Sequence, residues 1–397
     1  MLIEFNFKNF KAFKDETVFD LSATKMTEFS RRVATVGYEK ILPVATVYGA
    51  NAGGKTTLLE AFEFMTKFVC DSFGAQGNYE FTREPFILDE DSRKEPSVFE
   101  VYFTKRDDKK EKIYNYGFKI NDDVILEEWF NVKAKTARNF KEIFHRGTDK
   151  VEFAGLGKSY KDIFGAGLTD TTLLASIGAR MGERNCATIG EFFCGNEFIM
   201  NGLENAANKK DITDKYLNDE KFHHLMLEEL RCLDKTILDV KVTKDDVTIT
   251  HKLSDSDNTV EFPLKMESAG IKKLFAYFPK AYNVIDDGGI LVIDNFDSGL
   301  HPLFIRKVLK DFFALNRENF EGQIIFTAST SSLMTNKAFR RDEIWFVEKD
   351  EKGISTLYSL ADIVDEDGLH IRKDESYEKN YVTGKYGAIP DVFEEQI

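Results

Sequence analysis

The sequence predicts an α/β fold, and three stretches carry that prediction. Val44-Ala45-Thr46-Val47-Tyr48 is a short, mostly apolar run ending at Gly49, the pattern of a buried strand. After a glycine-rich turn, Leu58, Leu59, Phe62, Met65, Phe68 and Val69 share one face of a helix expected over about 55–69. Far downstream, Gly289-Ile290-Leu291-Val292-Ile293-Asp294 is a second apolar strand, and it stops on a carboxylate. Strands alternating with helices in this way build a helix-covered, largely parallel sheet.

The remaining elements follow in chain order. Leu2 to Phe10 alternates apolar and polar residues and reads as an opening strand. Residues 71–96 look loop-like, and two hairpin-like strand pairs are expected across 97–132, including Phe99-Glu100-Val101-Tyr102-Phe103. Between 155 and 235 the character shifts to helices and polar connectors, such as Asn201 to Lys215, which predicts an inserted helical lobe. Strands resume at 237–263, after which helix and strand alternate to the end. No internal repeat, low-complexity tract or long linker interrupts this order.

Composition excludes several classes. The 397 residues are 42% hydrophobic and 13% aromatic with seven prolines, enough for a large core of two or three lobes. The 36 phenylalanines are spread along the chain, which fits packing better than a stacking platform. No apolar run approaches the ~20 residues needed to cross a membrane. The first residues lack a signal-peptide profile, so a cytoplasmic location is expected. A net charge of −14 argues against a wholly basic nucleic-acid binder. Cys70, Cys186, Cys194 and Cys232 match no zinc spacing and are read as buried or free thiols, not as ligands or a disulfide.

The chemistry begins at Gly49-Ala50-Asn51-Ala52-Gly53-Gly54-Lys55-Thr56, which fits G-x-x-x-x-G-K-[ST] at every fixed position. Gly49, Gly53 and Gly54 let backbone N–H groups face phosphates, with Asn51 and Thr57 flanking. Lys55 supplies a cation at the β/γ positions, and the Thr56 hydroxyl is a candidate Mg²⁺ ligand. The helix that starts here adds its dipole and free N–H groups. ATP and Mg²⁺ are the expected cofactors.

Asp294 at its strand end is the second candidate metal ligand, through water. The position after it, normally Glu in ABC-type enzymes, is Asn295, and the usual switch histidine after Gly322 to Ala328 is replaced by Ser329. An amide can hold a water but cannot take its proton, and loss of a general base costs ~10²–10⁴-fold in rate. Hydrolysis is therefore expected to be slow. Asp297 to His301 has the form of the D-loop where paired heads touch. Both residues count as catalytic-face candidates, with His301 favoured in a structural or interface role. Pro302 should open the next helix.

Upstream, Ser268-Ala269-Gly270 opens a helix carrying Leu274, Phe275 and Phe278. A hydroxyl, a small residue and helix N–H groups make an anion-binding end. Gly270 precedes Asp294 by 24 residues (294 − 270), close to the interval between an ABC signature and its Walker B strand. These motifs in this order predict an α/β, ABC-type P-loop NTPase head with a mixed β-sheet lobe and an inserted helical lobe. The expected segments are an N-terminal lobe over 1–154, the insert over 155–235, a C-terminal lobe over 236–360 and a docking tail over 361–397. Signatures of this class reach the γ-phosphate of an opposite head, so ATP should hold a homodimer or larger assembly together.

The chain resembles bacterial AbiLi/RloA-type ATPases, which are related to the OLD family and to the heads of SMC and break-repair ATPases. The resemblance rests on Phe5 to Phe10, the phosphate loop, Glu267 to Leu274, Asp294 to Leu303 and Arg340 to Val347. It also rests on a tail containing Arg372-Lys373-Asp374, Lys379-Asn380-Tyr381 and Gly384 to Pro390. It implies an ATP-gated sensor or scaffold in abortive infection or phage defence, controlling a separately encoded effector such as a Toprim or RloB-like nuclease. The chain shows no nuclease constellation of its own; Asp286 with Asp287, and Asp365 with Asp367, read as solvated loops. The alternative is a DNA-maintenance ATPase, with Lys8, Lys11 and Lys14, or Lys133, Lys135 and Arg138, on phosphates. The lack of a heptad segment long enough for an SMC arm counts against it.

Overall fold

A computed structural model describes residues 1–36, 38–74, 81–105, 112–134, 137–148, 150–155, 169–200, 216, 218–243, 246–315, 322–365 and 367–390. Alternation at the N-terminus gives β1 (Leu2–Lys8), which pairs antiparallel with β2 (Thr17–Asp20). A small ribbon of β3 (Ala34–Val36) and β4 (Glu39–Ile41) precedes the buried β5 (Val44–Tyr48). From β5 the chain turns into α1 (Lys55–Gly74), longer than its expected span of 55–69. The 71–96 stretch is not all loop, because α1 runs into it and α2 (Glu90–Lys94) forms under an Asp89 cap.

Beyond α2 the expected hairpins are one continuous meander: β6 (Ser97–Lys105), β7 (Lys112–Ile120), β8 (Ile125–Ala134), β9 (Lys141–Arg146) and β10 (Val151–Glu152). With β1 and β2 it makes a seven-stranded sheet of order β10-β9-β8-β7-β6-β1-β2. The 155–235 segment contributes α3 (Leu174–Arg180), α4 (Arg184–Cys194), a strand β11 (Glu197–Ile199) and α5 (Glu220–Leu233). Asn201 to Lys215 lies outside the described residues. The fully buried Glu128 accepts hydrogen bonds from Leu174 N (2.7 Å) and Ala175 N (3.0 Å), capping α3 against the meander.

A three-stranded sheet of β12 (Ile237–Val242), β13 (Val247–Lys252) and β14 (Thr259–Pro263) follows, as the sequence predicts. Then come α6 (Ala269–Asp287), β15 (Gly289–Ile293), α7 (Pro302–Leu315), β16 (Gly322–Thr327), β17 (Ile344–Lys349), β18 (Ser355–Ser359) and α8 (Tyr377–Val382). Pro302 takes the first helical position, where its missing N–H costs nothing. The central sheet has the order β11-β15-β16-β5-β17-β18, parallel except for the antiparallel edge β18. Its inner strands β15, β16 and β5 are almost wholly buried because both faces are covered.

Strand periodicity divides the core in two. Ala45, Val47, Ile290, Val292 and Ile325 face α1, α4 and the seven-stranded sheet in a phenylalanine-rich cluster. Val44, Tyr48, Leu291, Ile293 and Ile324 face the opposite way, towards α5, α6 and α7. The tail docks on this second face, where Tyr381 stacks on Phe346 with ring centroids 5.5 Å apart. Arg340, 1% exposed, binds Asp342 through Nε (2.8 Å) and Nη2 (2.7 Å) and the Glu28 carbonyl through Nη1 (2.5 Å). That buried fan ties the loop after β2 to the start of β17.

One reading from the sequence is overturned. Cys70 on α1 and Cys194 at the end of α4 are disulfide-bonded, with Cα atoms 5.7 Å apart, although 124 residues separate them. Only the packing of α4 on α1 brings them together. Cys186 is free and buried, and Cys232 is free and exposed. No described helix is long and apolar enough to cross a membrane.

Candidate functional site

In an open parallel sheet, ligands sit beyond the carboxyl ends of the strands. Here β15, β16 and β5 are neighbours, so Asp294, Ser329 and the Gly49 to Thr56 loop leave the sheet at one edge. Gly49 has φ 153°, and a Cβ there would collide with the Val347 carbonyl. Gly54 has φ 117°, and a Cβ would lie 2.7 Å from Ser355 Oγ, which itself donates to the Gly53 carbonyl at 2.7 Å. Both glycines are therefore demanded by the fold of the loop. Ala52 takes a left-handed φ of 63°, Asn51 is exposed at the tip, and Thr57 sits in the first turn of α1.

Lys55 folds back on its own loop, donating to the carbonyls of Gly49 (2.8 Å) and Ala50 (3.1 Å). Burial lowers its pKa, while Asp294 and Asp297 pull the other way. Across the loop, Thr56 Oγ1 lies 3.1 Å from both carboxylate oxygens of Asp294. A hydroxyl and a carboxylate facing each other at the phosphate end are the hard oxygen donors Mg²⁺ takes, with phosphate and water completing the shell. The two residues fit that ion, which would supply positive charge beside the bound phosphates.

Asn295 and Ser329 are joined directly. Ser329 Oγ donates to Asn295 Oδ1 at 2.8 Å, and Asn295 Nδ2 donates to Asp294 Oδ2 at 3.3 Å. Asn295 stands in the left-handed region at φ 51°. Asp297, 8% exposed, spends its carboxylate on the backbone N–H groups of Ser329 (3.0 Å) and Thr330 (2.6 Å). It shapes the loop that carries Ser329. His301 is exposed and accepts from Leu303 N at 3.2 Å through Nδ1, an N-terminal cap on α7. Thr327, which sequence reasoning missed, is the hub: its hydroxyl donates to Asp294 Oδ1 (2.7 Å) and accepts from Asn295 N (2.8 Å). A threonine ending the apolar run Ile324 to Phe326 was the available signal.

Ser268 and Gly270 stand apart from this group. Ser268 caps α6, accepting from Ile271 N at 3.3 Å, and is exposed. No hydrogen bond among the described residues joins either one to the Gly49 to Thr57 loop. Gly270 adjoins the D-loop, since a Cβ there would lie 3.9 Å from Leu300 Cδ2 and 4.0 Å from the Gly299 carbonyl. The preceding Glu267 is held by the buried His251, with Oε1 2.8 Å from Nε2.

A family model described as "AAA domain, putative AbiEii toxin, Type IV TA system" matches residues 44–158 and 199–327. The chain belongs to this family. The matched stretches contain Gly49 to Thr57, Ser268 to Gly270, Asp294 to His301 and Thr327. No curated protein matches it. Among solved structures, it is similar to the SMC head domain from Thermotoga maritima at 14% identity and TM-score 0.41, covering 90% of this chain and 98% of that one. An SMC head bound to the C-winged helix domain of ScpA gives 12% identity and TM-score 0.44, covering 93% and 99%. A head from Pyrococcus yayanosii with a coiled coil and joint gives 10% and 0.42, covering 90% and 96%.

The lysines considered for phosphate contacts are engaged. Lys8 pairs with Glu95 (3.1 Å), Lys11 with Glu60 (2.9 Å) and Glu84 (3.3 Å), and Lys14 with Asp89 (3.1 Å). Lys133 lies 3.8 Å from Glu39, Arg138 is exposed, and Lys135 falls outside the described residues.

Proposed function

We propose that this AAA-family chain is an ATP-binding head that pairs with a second copy around ATP and hydrolyses it slowly. One observation carries the pairing. Gly270 has no positive φ, and a Cβ there would meet nothing closer than an ordinary van der Waals contact. Its own fold gives no reason for the missing side chain. Close approach of another molecule to the exposed Ser268 turn does, and the γ-phosphate of an opposite head fits a hydroxyl at a helix N-terminus.

Slow hydrolysis follows from the Asn295–Ser329 hydrogen bond. Both ends of the amide are engaged, and an amide cannot take the proton of an attacking water. With the family match, the reading extends to an ATP-held sensor or scaffold of an abortive-infection system that controls a separately encoded effector, such as a Toprim or RloB-like nuclease. The ion-paired lysines weigh against the DNA-maintenance alternative.

The test is steady-state ATP turnover beside the Asn295→Glu variant, with oligomeric state read in parallel. Pairing on ATP with turnover appearing only in Asn295→Glu supports the reading. Brisk turnover by the native chain, or no ATP-dependent pairing, defeats it. For the effector, recovery of a nuclease with the tagged chain from its host supports the role. Unchanged phage sensitivity after deletion removes it.

A further inference from the structure

Lys273 stands five residues along α6 from Ser268 and is 4% exposed, on the face of the helix that also buries Leu274 and Phe275. Among the described residues its ammonium makes no salt bridge; Asp297 attracts it only from beyond contact distance, and the Tyr277 ring lies 5.1 Å away. Nζ donates to the backbone carbonyls of Asn295 and Phe296, both at 3.3 Å, and to that of Ser298. These carbonyls belong to the turn that carries Asn295 and leads into Gly299 and Leu300 beside Gly270. Burying an ammonium without a salt-bridge partner is costly, and the attraction of Asp297 only partly offsets the desolvation, whereas an aliphatic residue would fill the same space at no such cost. Burial has brought its pKa down to about 8. The gain lies in the turn: converging carbonyls repel one another, and Asn295 must hold a left-handed φ of 51° that ordinary residues avoid.

We infer that Lys273 is a positioning residue, clamping the Asn295–Ser298 turn to the signature helix so that engagement of Ser268 is felt at the residues facing the water. Lys273 lies in the first turns of α6, ahead of the internal Pro279, so displacement of the helix N-terminus moves Lys273 with it. The turn bends in response, and Asn295 shifts relative to Asp294 and Ser329. One head thereby links the nucleotide bound by its partner to the hydrolysis side of its own site. The inference rests on the paired-head reading above.

The experiment is Lys273→Met, which keeps an unbranched side chain in place without the charge, made in the Asn295→Glu background where turnover is measurable. The expected result is a fall of at least about tenfold in kcat, with KM and ATP affinity within about twofold of the parent. An unchanged kcat, or a loss of affinity and melting temperature in step with kcat, would overturn the clamp. If the Asn295→Glu parent itself shows no turnover, the ATPase reading fails, and hydrogen exchange of the nucleotide-free chain decides the clamp. Faster exchange at the amides of Phe296 and Ser298, with α6 unchanged, sustains it; uniform or unaltered exchange overturns it.

Discussion

The two halves of the candidate nucleotide site are built on opposite plans. Around Gly49 to Thr56 and Asp294, each glycine with unusual backbone is forced by a neighbour in the same chain. The polar groups there are cross-linked through Thr56, Thr327, Asn295 and Ser329. Around Ser268 and Gly270 the hydroxyl is exposed and the glycine answers to nothing inside the fold. The first half is internally determined and preorganised. The second is held from behind, by His251 on Glu267 and by Lys273 on the D-loop turn, and presents its functional groups outward. Such asymmetry is what a site completed by another molecule requires: rigidity at the base and an unfilled contact at the tip.

Substitutions can break or sharpen this contrast. The largest effect is expected from Asn295→Glu, which supplies a general base within the internal half and should raise turnover by ~10²–10⁴-fold, read by phosphate release. Next, Lys55→Ala removes a charge-assisted phosphate contact worth about 3 kcal/mol, so ATP affinity should fall about a hundredfold by calorimetry. Ser268→Arg or Gly270→Asp should leave that affinity within about twofold while abolishing ATP-dependent pairing, measured by light scattering. Normal pairing by both variants would erase the contrast. Thr327→Val leaves the Asp294 carboxylate and the Asn295 N–H short of a partner and should cost about 1–3 kcal/mol in urea unfolding.

The smallest expected effect concerns the frame behind the loop. Burial raises the Glu343 carboxyl to about 7, and its Oε1 has no partner. A carboxyl raised in the folded state holds a proton there that the unfolded chain has released. Stability contributed by this group should therefore fall as pH rises from about 4.5 towards 7. Glu343→Gln should flatten that part of the melting-temperature profile.

The internal half was largely legible in the sequence because its chemistry is local. A phosphate loop needs glycines, a lysine and a hydroxyl within one turn of chain, and all of them stand within Gly49 to Thr56. Asp294 was legible for a similar reason, at the end of an uninterrupted apolar strand. Thr327 was not, because its role depends on the register that sets β16 beside β15, with Phe326 opposite Ile293. Lys273 read as one of two consecutive lysines on an amphipathic helix, and only packing shows which of them points inward.

By itself, the sequence determined the alternation of elements, the phosphate loop, the carboxylate at the end of its strand and the unusual Asn295 and Ser329. Hydrophobic periodicity and backbone sterics act over a few residues, and a single chain displays them directly. Tertiary structure alone decided that Asn295 and Ser329 touch, that Cys70 meets Cys194, and that a buried lysine grips the D-loop. Each of those contacts joins residues separated by a strand crossover or by a packed helix. Their meeting is set by which faces of the sheet the helices cover, a property of the assembled layers that no single stretch of chain contains.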